Sequence, residues 1–206
     1  MKLLAVDTSG PVCGVAILTE DGIRHECAVM NHKTHSVNLL PMIDNAFQST
    51  GLTIQDMDRL AVVVGPGSFT GVRLGVSTVK GLAHGAGKPC VAVNALEAMA
   101  AGISGFSGVV CPIQDARAGQ VYGAAFSAGE NRPNRLMADT PMKVEDYVAE
   151  ISRFGDRFLF LGDGMPVHRQ KLQTLLGGCC RVRAAASGVP APGSSGVPCV
   201  AGDGNG

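Results

Sequence analysis

The chain contains no tryptophan, and aromatic residues make up only 4% of its 206 residues. Proteins stack unpaired nucleic-acid bases on aromatic side chains, so such platforms are scarce here. Basic and acidic residues number 17 each, which gives a formal net charge of zero. Tight binding of nucleic acid normally draws on an excess of positive charge. The composition therefore argues against a protein that binds nucleic acid by itself.

Long apolar runs are also absent from the sequence. No run approaches the roughly 18 residues of a membrane-spanning helix, and the apolar run within residues 1–6 is too short for a signal peptide. We therefore expect a cytoplasmic protein with no membrane contact. Its length suits one domain or two small ones with a real core.

Cysteine usage predicts reduced thiols. The count is odd and most of the cysteines lie inside apolar runs, which is typical of core thiols rather than disulfides. The seven are Cys13, Cys27, Cys90, Cys111, Cys179, Cys180 and Cys199. The adjacent pair near the end lacks the C-x-x-C spacing of a zinc or redox site.

The most informative stretch runs from Leu60 to Gly75, LAVVVGPGSFTGVRLG. Its β-branched run predicts a buried strand, which Gly65-Pro66-Gly67 ends, and a helix should follow from about Gly71 to Ala86. Ser68 or Thr70 can cap that helix. Such a turn could hold a phosphate, could serve tight packing alone, or could prepare a helix for a partner. The glycine spacing fits neither G-x-x-x-x-G-K-[ST] nor G-x-G-x-x-G, so no known phosphate motif identifies the turn. The three alternatives stay open.

Hydrophobic periodicity predicts the other elements. Strands are expected at residues 3–6, 12–18, 23–30, 89–93, 109–115, 119–126 and 158–161, and helices at 38–49, 95–101 and 167–176. Ser36 or Asn38 should cap the first helix, which places Pro41 in its first turn. Thr140 and Pro141 should begin a later helix, after a turn at residues 131–134. From Gly177 onward small residues dominate, and we predict no regular structure there.

The chain contains a weak internal repeat. Val109 to Asp115 is an apolar run that ends in a carboxylate, as Leu3 to Asp7 is, and a second strand follows each run. The repeat predicts two lobes that each aim one carboxylate into a shared cleft. Two ordinary strand-turn-strand units remain the alternative.

A search for catalytic groups gives an incomplete set. Asp7 and Asp115 could serve a phosphotransferase as magnesium ligand and base, but lysine is sparse around the glycine turns. Ser68 does not stand in a G-x-S-x-G nucleophile motif. His32 and His35 could share a helix face, yet no third metal ligand is near in sequence, so they are better explained as polar residues before a helix.

Several motifs together resemble the bacterial TsaB (YeaZ) family. They are Asp7-Thr8-Ser9, the HSxxLLP segment from His35 to Pro41, the run from Gly65 to Gly75, the DARxGQVY segment from Asp115 to Tyr122, and Asp163-Gly164. The resemblance covers about residues 1–176, and the run from Gly65 to Gly75 is its most specific part.

This resemblance implies an α/β, actin-like ASKHA fold of two RNase H-like lobes. We expect an N-terminal lobe at 1–105, a C-terminal and incomplete lobe at 106–176, and a low-complexity tail at 177–206. The implied role is that of a non-catalytic accessory subunit in making threonylcarbamoyladenosine on tRNA. The TsaD relative, which transfers the threonylcarbamoyl group, carries a metal-binding histidine motif after the strand that matches Cys90–Val93, and this chain has Asn94 to Met99 there without histidine.

The resemblance also implies partners and site residues. Partners would be a TsaD-like catalytic subunit and a TsaE-like ATPase, with a homodimer as the alternative, and tRNA would be met through the complex. ATP and metal are expected on the partner subunits, with no cofactor or metal intrinsic to this chain. The implied interface residues are Leu39, Leu40, Ile43, Phe47, Val72, Arg73 and Val76. The implied motif and cleft residues are Asp7, Thr8, Ser9, His35, Gly65, Pro66, Gly67, Ser68, Phe69, Thr70, Gly71 and Asp115.

The last residues depart from the family pattern, in which further helix and strand usually follow. Their composition motivates the hypothesis of a truncated or frame-shifted gene. Resequencing the locus tests it, because a tail in frame with intact neighbours would exclude it.

Overall fold

The architecture was obtained as a computed structural model, which describes residues 1–30, 35–127, 132–177 and 180–182. Its strands are β1 (Leu3–Asp7), β2 (Cys13–Thr19), β3 (Gly22–Val29), β4 (Arg59–Val63), β5 (Cys90–Val93), β6 (Val109–Asp115), β7 (Gln120–Ser127), β8 (Asn134–Lys143), β9 (Phe158–Leu161) and β10 (Cys180–Val182). Its helices are α1 (His35–Thr50), α2 (Phe69–Ala86), α3 (Ala95–Ala101), α4 (Val144–Ile151) and α5 (Gly164–Leu176), with a short 3-10 helix at Ile54–Asp56.

The first sheet has the strand order β3-β2-β1-β4-β5. β1, β2 and β3 form an antiparallel meander, and β4 and β5 add in parallel beside β1. Helices α1 and α2 cover one face of this sheet, over a core that includes Leu4, Val6 and Leu60. Parallel strands need a crossover to return the chain to the same end of the sheet, and α2 supplies it between β4 and β5.

The second sheet repeats this plan, with the order β10-β9-β6-β7-β8. β6 takes the place of β1, the antiparallel β7 and β8 follow on one side, and β9 and β10 lie parallel to it on the other. Helices α4 and α5 correspond to α1 and α2 in chain order. The shared plan confirms the predicted α/β fold class, with two mixed sheets flanked by helices.

Helix α3 connects the two sheets. It follows β5 of the first sheet, but its Leu96 and Ala100 pack with Val110 and Phe126 of the second. The helices α4 and α5 cover the opposite face of the second sheet, around Tyr147. Its strands therefore have helices on both faces. The boundary between lobes at residue 105 stays a prediction.

Helix α1 begins earlier than predicted. It is already helical at His35, so neither Ser36 nor Asn38 is its N-cap, and Pro41 lies inside the helix. A proline in a helix interior removes one backbone hydrogen bond, here the one toward Val37, and costs roughly 3 kcal/mol. The face of α1 that does not carry Pro41 is buried in the core, and this burial stabilises the helix. His32 and the rest of residues 31–34 lie outside the described residues.

The predicted helix start at Thr140 and Pro141 is wrong. Both residues lie in β8, and α4 begins at Val144 with Lys143 as N-cap. β8 is an edge strand, where a missing N–H can face away from the sheet, so proline is tolerated. Residue 131, the first of the predicted turn, lies outside the described residues, as do residues 128–130.

The prediction of no structure after Gly177 is wrong at one place. Residues Cys180–Val182 pair in parallel with β9 and form the fifth strand of the second sheet. Three residues are too few for periodicity to be seen in the sequence. Residues 178–179 and 183–206, which include Cys179 and Cys199, lie outside the described residues.

Among the helices in the described part of the chain, none combines the length and hydropathy that a membrane crossing requires.

Candidate functional site

The glycine turn, residues 64–71, sits directly on the end of β1. The Ser68 amide donates to the carbonyl oxygen of Ser9 at 2.7 Å. The Ser68 hydroxyl accepts from the Gly71 amide at 3.3 Å and so caps α2. Of the two predicted caps, Ser68 is therefore confirmed. The Gly65–Pro66 peptide bond in this turn is cis.

Close packing accounts for three of the four glycines. A Cβ atom on Gly67 would overlap the Ser9 carbonyl oxygen, and one on Gly71 would overlap the Thr8 carbonyl oxygen. One helical turn later, a Cβ atom on Gly75 would overlap the Thr8 hydroxyl. The four-residue spacing places Gly71 and Gly75 on one helix face, and that face lies against the end of β1. The structure thus favours the packing explanation of the glycine spacing.

The same contacts weaken the anion-site explanation. A helix N-terminus binds an anion through amide groups that lack an intrahelical partner. Here the Ser68 amide is taken by Ser9, and the Gly71 amide by the Ser68 hydroxyl. Protein oxygens therefore already bind two of the amide groups that a phosphate at this helix start would use.

Asp7 is held by its own turn. Its Oδ1 accepts from the Ser9 amide at 2.8 Å and from the Ser9 hydroxyl at 2.7 Å. Burial raises the pKa of Asp7, while the two bonds from Ser9 and the charge of nearby His35 oppose that rise. His35 donates through Nε2 to the Gly10 carbonyl oxygen at 2.9 Å. Asp7, Ser9 and His35 thus form one connected cluster at the start of α1.

Asp115 and Asp7 lie on different faces of their two sheets, and the cleft expected between them stays a prediction. In β1, Leu4 and Val6 face the helices, so Asp7 is on the opposite face. In β6, Cys111 and Ile113 face α4 and α5, and by the period-two rule so does Asp115.

The contacts of Asp115 agree with this orientation. Its Oδ1 lies 3.1 Å from Nε2 of His168 on α5 and 3.3 Å from the Arg117 amide. His168 is 5% exposed. Asp7 lies on the face of its sheet away from α1 and α2. The corresponding residue of β6, on the face away from α4 and α5, is Gln114, which is 3% exposed. The repeat is real, but its two carboxylates are one position out of step.

A second glycine turn, residues 162–164, repeats the packing of the first. A Cβ atom on Gly162 would overlap the carbonyl oxygen of Ile113, just as the first turn meets the end of β1. Burial raises the pKa of Asp163, against the lowering effect of its hydrogen bond from the Asp115 amide. Sequence analysis found this turn but missed His168, because a lone histidine among the buried residues of a helix carries no motif.

The predicted interface residues fall into two groups. Leu39 and Ile43 are buried at 1% and 4% exposure, on the core side of α1, so they add no exposed surface to the chain, and their place in an interface stays a prediction. Leu40 is 56% exposed and Arg73 is also exposed, whereas Phe47, Val72 and Val76 are half-buried. The apolar stripe read from the sequence mixed the core side of α1 with its outer side.

Two further apolar residues of α1 and α2 are exposed. Phe69, in the first turn of α2, is 69% exposed, and the guanidinium carbon of Arg73 lies 3.6 Å from its ring centroid. Val37, one turn before Pro41, is 55% exposed. We call the exposed side chains of Val37, Leu40, Phe69 and Arg73 the α1–α2 surface. Exposed apolar side chains that form a contiguous patch indicate an interaction surface, and we consider these four as candidates for one.

No group of three or more His, Cys, Asp or Glu side chains within the described ranges is arranged to hold a metal ion. Among the cysteines placed there, Cys13 and Cys111 are buried, Cys27 is half-buried and Cys90 is exposed. Cys90 therefore departs from the predicted core location. Burial raises the pKa of the Cys13 thiol to about 11, which keeps it protonated.

Comparison with known proteins gives a consistent result. The family model described as TsaD, tRNA N6-adenosine threonylcarbamoyltransferase, matches residues 26–187. The tRNA threonylcarbamoyladenosine biosynthesis protein TsaB of Bacillus subtilis is 34% identical over 192 residues, which cover 93% of this chain and 84% of the relative. TsaB of Escherichia coli is 39% identical over 134 residues, 64% of this chain and 57% of the relative. The match thus spans little more than half the length of that second relative.

Among solved structures, YeaZ from Pseudomonas aeruginosa superposes with a TM-score of 0.74 at 24% identity. The superposition covers 92% of this chain and 86% of that one. At this level of identity the likeness supports the fold, with both sheets included.

Proposed function

This chain belongs to the TsaB family of tRNA threonylcarbamoyladenosine biosynthesis proteins, and on that premise we propose that it is a non-catalytic scaffold and activator subunit. The transfer of the threonylcarbamoyl group to tRNA would be carried out by a TsaD-like partner. ATP and metal would be bound by partner subunits, among them a TsaE-like ATPase. The tRNA would be met through the complex, since this chain carries no net charge of its own.

The observation that carries the proposal is that the candidate catalytic groups serve the fold. Asp7 accepts two hydrogen bonds from Ser9, and Asp115 pairs with His168 on the helix-covered side of its sheet. A phosphotransferase needs its carboxylates and its phosphate-binding amides to meet at one place. Here the two carboxylates lie on different faces of their sheets, and the amides of Ser68 and Gly71 in the glycine turn bind protein oxygens.

The α1–α2 surface supports the partner half of the proposal. It contains the exposed apolar side chains of Val37 and Leu40 and a stacked Arg73–Phe69 pair, and arginine and aromatic residues are enriched at the energetic centres of interfaces. Among the described residues, no carboxylate lies within salt-bridge distance of Arg73. A partner helix packed across α1 and α2 would bury this surface.

Co-purification with a mass measurement tests the proposal. The chain and a TsaD-like subunit, co-expressed and isolated through a tag on this chain, should elute as a heteromer whose mass is the sum of the two. Elution of this chain as a homodimer, with the TsaD-like subunit absent at micromolar concentration, would contradict it.

A further inference from the structure

Helix α3 is fixed to the first sheet at its beginning. Its first amide, that of Ala95, donates to the carbonyl oxygen of Gly65 at 2.8 Å, and the Val64 amide donates to Val93 at 2.9 Å. The apolar side of α3 nevertheless packs on the second sheet. This short helix is thus the element through which the glycine turn and the second sheet are joined.

A polar network joins the start of α3 to β8 on the far sheet. Asn94 accepts from the Glu97 amide at 2.8 Å as the N-cap of α3, and its side-chain amide donates to Asp139. Arg135 pairs with Asp139 and, at 3.1 Å, with Glu97. Glu97 belongs to α3, which follows β5 of the first sheet, and Asp139 belongs to β8 of the second sheet. Arg135 therefore pairs with both carboxylates at once and links the two elements.

The ring of Phe126 fixes the position of Arg135. Its guanidinium carbon lies 4.6 Å from the ring centroid of Phe126, which is fully buried and belongs to the cluster under α3. Arg135 is the ladder partner of Phe126, next to an irregularity in the pairing of β7 with β8. Such irregularities redirect side chains, and here the arginine is directed across the edge of the sheet toward α3.

We propose that Asn94, Glu97, Arg135 and Asp139 form an inter-lobe latch that holds the second sheet at a fixed angle to the glycine turn. The far end of α3 is tethered covalently, through residues 102–108, to β6. The latch holds the near end, so that α3 cannot pivot on the second sheet. Each ion pair is partly exposed and weak by itself, but the four groups share partners and act together. This inference does not depend on the proposed function.

Hydrogen exchange followed by mass spectrometry tests the latch in the full chain. The variants are Arg135→Ala, which removes the shared cation, and Asn94→Asp, which keeps a good helix cap but turns a carboxylate toward Asp139. Both should speed exchange of the amides of residues 97–101 by about tenfold or more, through local opening. The amides of β2, residues 13–19, should exchange as in the wild type.

Controls separate a latch from a general loss of stability. Arg153→Ala removes another surface arginine, paired with Glu150 three residues earlier in the chain, and should leave residues 97–101 unchanged. Asn94→Ser keeps the cap without the bond to Asp139 and should fall between wild type and Asn94→Asp. If Arg135→Ala does not fold, Arg135→Lys and Asn94→Asp decide the matter.

Two results would overturn the proposal. One is exchange of residues 97–101 within about twofold of wild type in both Arg135→Ala and Asn94→Asp. The other is equal acceleration of residues 97–101 and 13–19, which would show that the network contributes only to global stability. A faster exchange of residues 97–101 in the wild type at about 1 M salt, where charges are screened within about 3 Å, would support the latch.

Discussion

The hydroxyl of Thr8 donates to the carbonyl oxygen of Gly71 at 2.7 Å, and both groups are buried. This bond joins the end of β1 to the first turn of α2. It can form because Gly71 has no Cβ atom to keep the two backbones apart. The junction of strand and helix is thereby explained without any ligand.

Gly71→Ala should destabilise the protein. The added methyl group would overlap the Thr8 carbonyl oxygen, which belongs to the backbone and cannot move aside cheaply. We expect a loss of about 1–3 kcal/mol in the free energy of unfolding, as for overpacked cores. Urea denaturation measures it.

Gly81→Ala is the matched control on the same helix. Nothing lies within 4 Å of a Cβ atom at Gly81, and alanine in a helix interior is favoured over glycine by about 0.5–1 kcal/mol. This variant should therefore be more stable than wild type. A Gly71→Ala protein as stable as Gly81→Ala would refute the packing explanation of the glycine turn.

Asp7→Asn should change stability with pH in a defined direction. Burial raises the pKa of folded Asp7 above its usual 3.8, so the folded state holds the proton more tightly and stability falls as pH rises through that range. Asparagine cannot ionise. The stability of the variant relative to wild type should therefore be higher at neutral pH, and this difference should disappear near pH 3.8.

Asp56→Asn should change the pH dependence of stability in the opposite direction. Hydrogen bonds from Thr53 lower the pKa of Asp56, so its carboxylate contributes stability above the usual 3.8 that is lost as pH falls through the lowered pKa. This variant should be less stable than wild type at neutral pH and should match it in acid. Thermal melts of both variants from acid to neutral pH check the two signs, and parallel curves would contradict both.

Phe69→Ala should weaken binding of a TsaD-like partner with little effect on folding. An exposed aromatic side chain stacked with Arg73 contributes more to an interface than to the isolated chain. We expect at least about a tenfold rise in the dissociation constant, measured by calorimetry, with an unchanged melting temperature. Val167→Ala, at a 62% exposed position on α5, is the control and should bind as wild type does. Equal affinities for the two variants would place the interface elsewhere.

The isolated chain should give no binding heat with ATP and magnesium. The amides of Ser68 and Gly71 are bound to protein oxygens, so a phosphate would have to displace them. Titration calorimetry on the wild type measures this directly. Saturable heat that Asp7→Asn abolishes would revive the alternative of an ATP-dependent phosphotransferase.

Sequence analysis predicted best where the signal is local. The strand, turn and helix around Gly65 to Gly75 each carry their own composition or capping residue, and the structure has them within a few residues of the predicted bounds. The helix predicted at residues 95–101 is also confirmed, and Asn94 is its N-cap.

Sequence analysis predicted less well where tertiary context decides. Pro141 is a good helix starter by local preference, but it sits in an edge strand that only the finished sheet defines. Asp7 and Asp115 look equivalent along the chain, yet a shift of one residue places a strand's side chains on the opposite face. Leu39 and Leu40 are neighbours in one apolar run, and only the packing of α1 shows which of them is buried.

The most direct test of the scaffold account is reconstituted formation of threonylcarbamoyladenosine on tRNA, with the TsaD-like and TsaE-like subunits, ATP and the threonylcarbamoyl donor. The account predicts no product from this chain alone, and equal rates when wild type or Asp7→Asn completes the mixture. Phe69→Ala should lower the rate at limiting concentration and recover at excess, because it affects assembly rather than chemistry. Loss of product with Asp7→Asn, while that variant still co-purifies with its partner, would contradict the account.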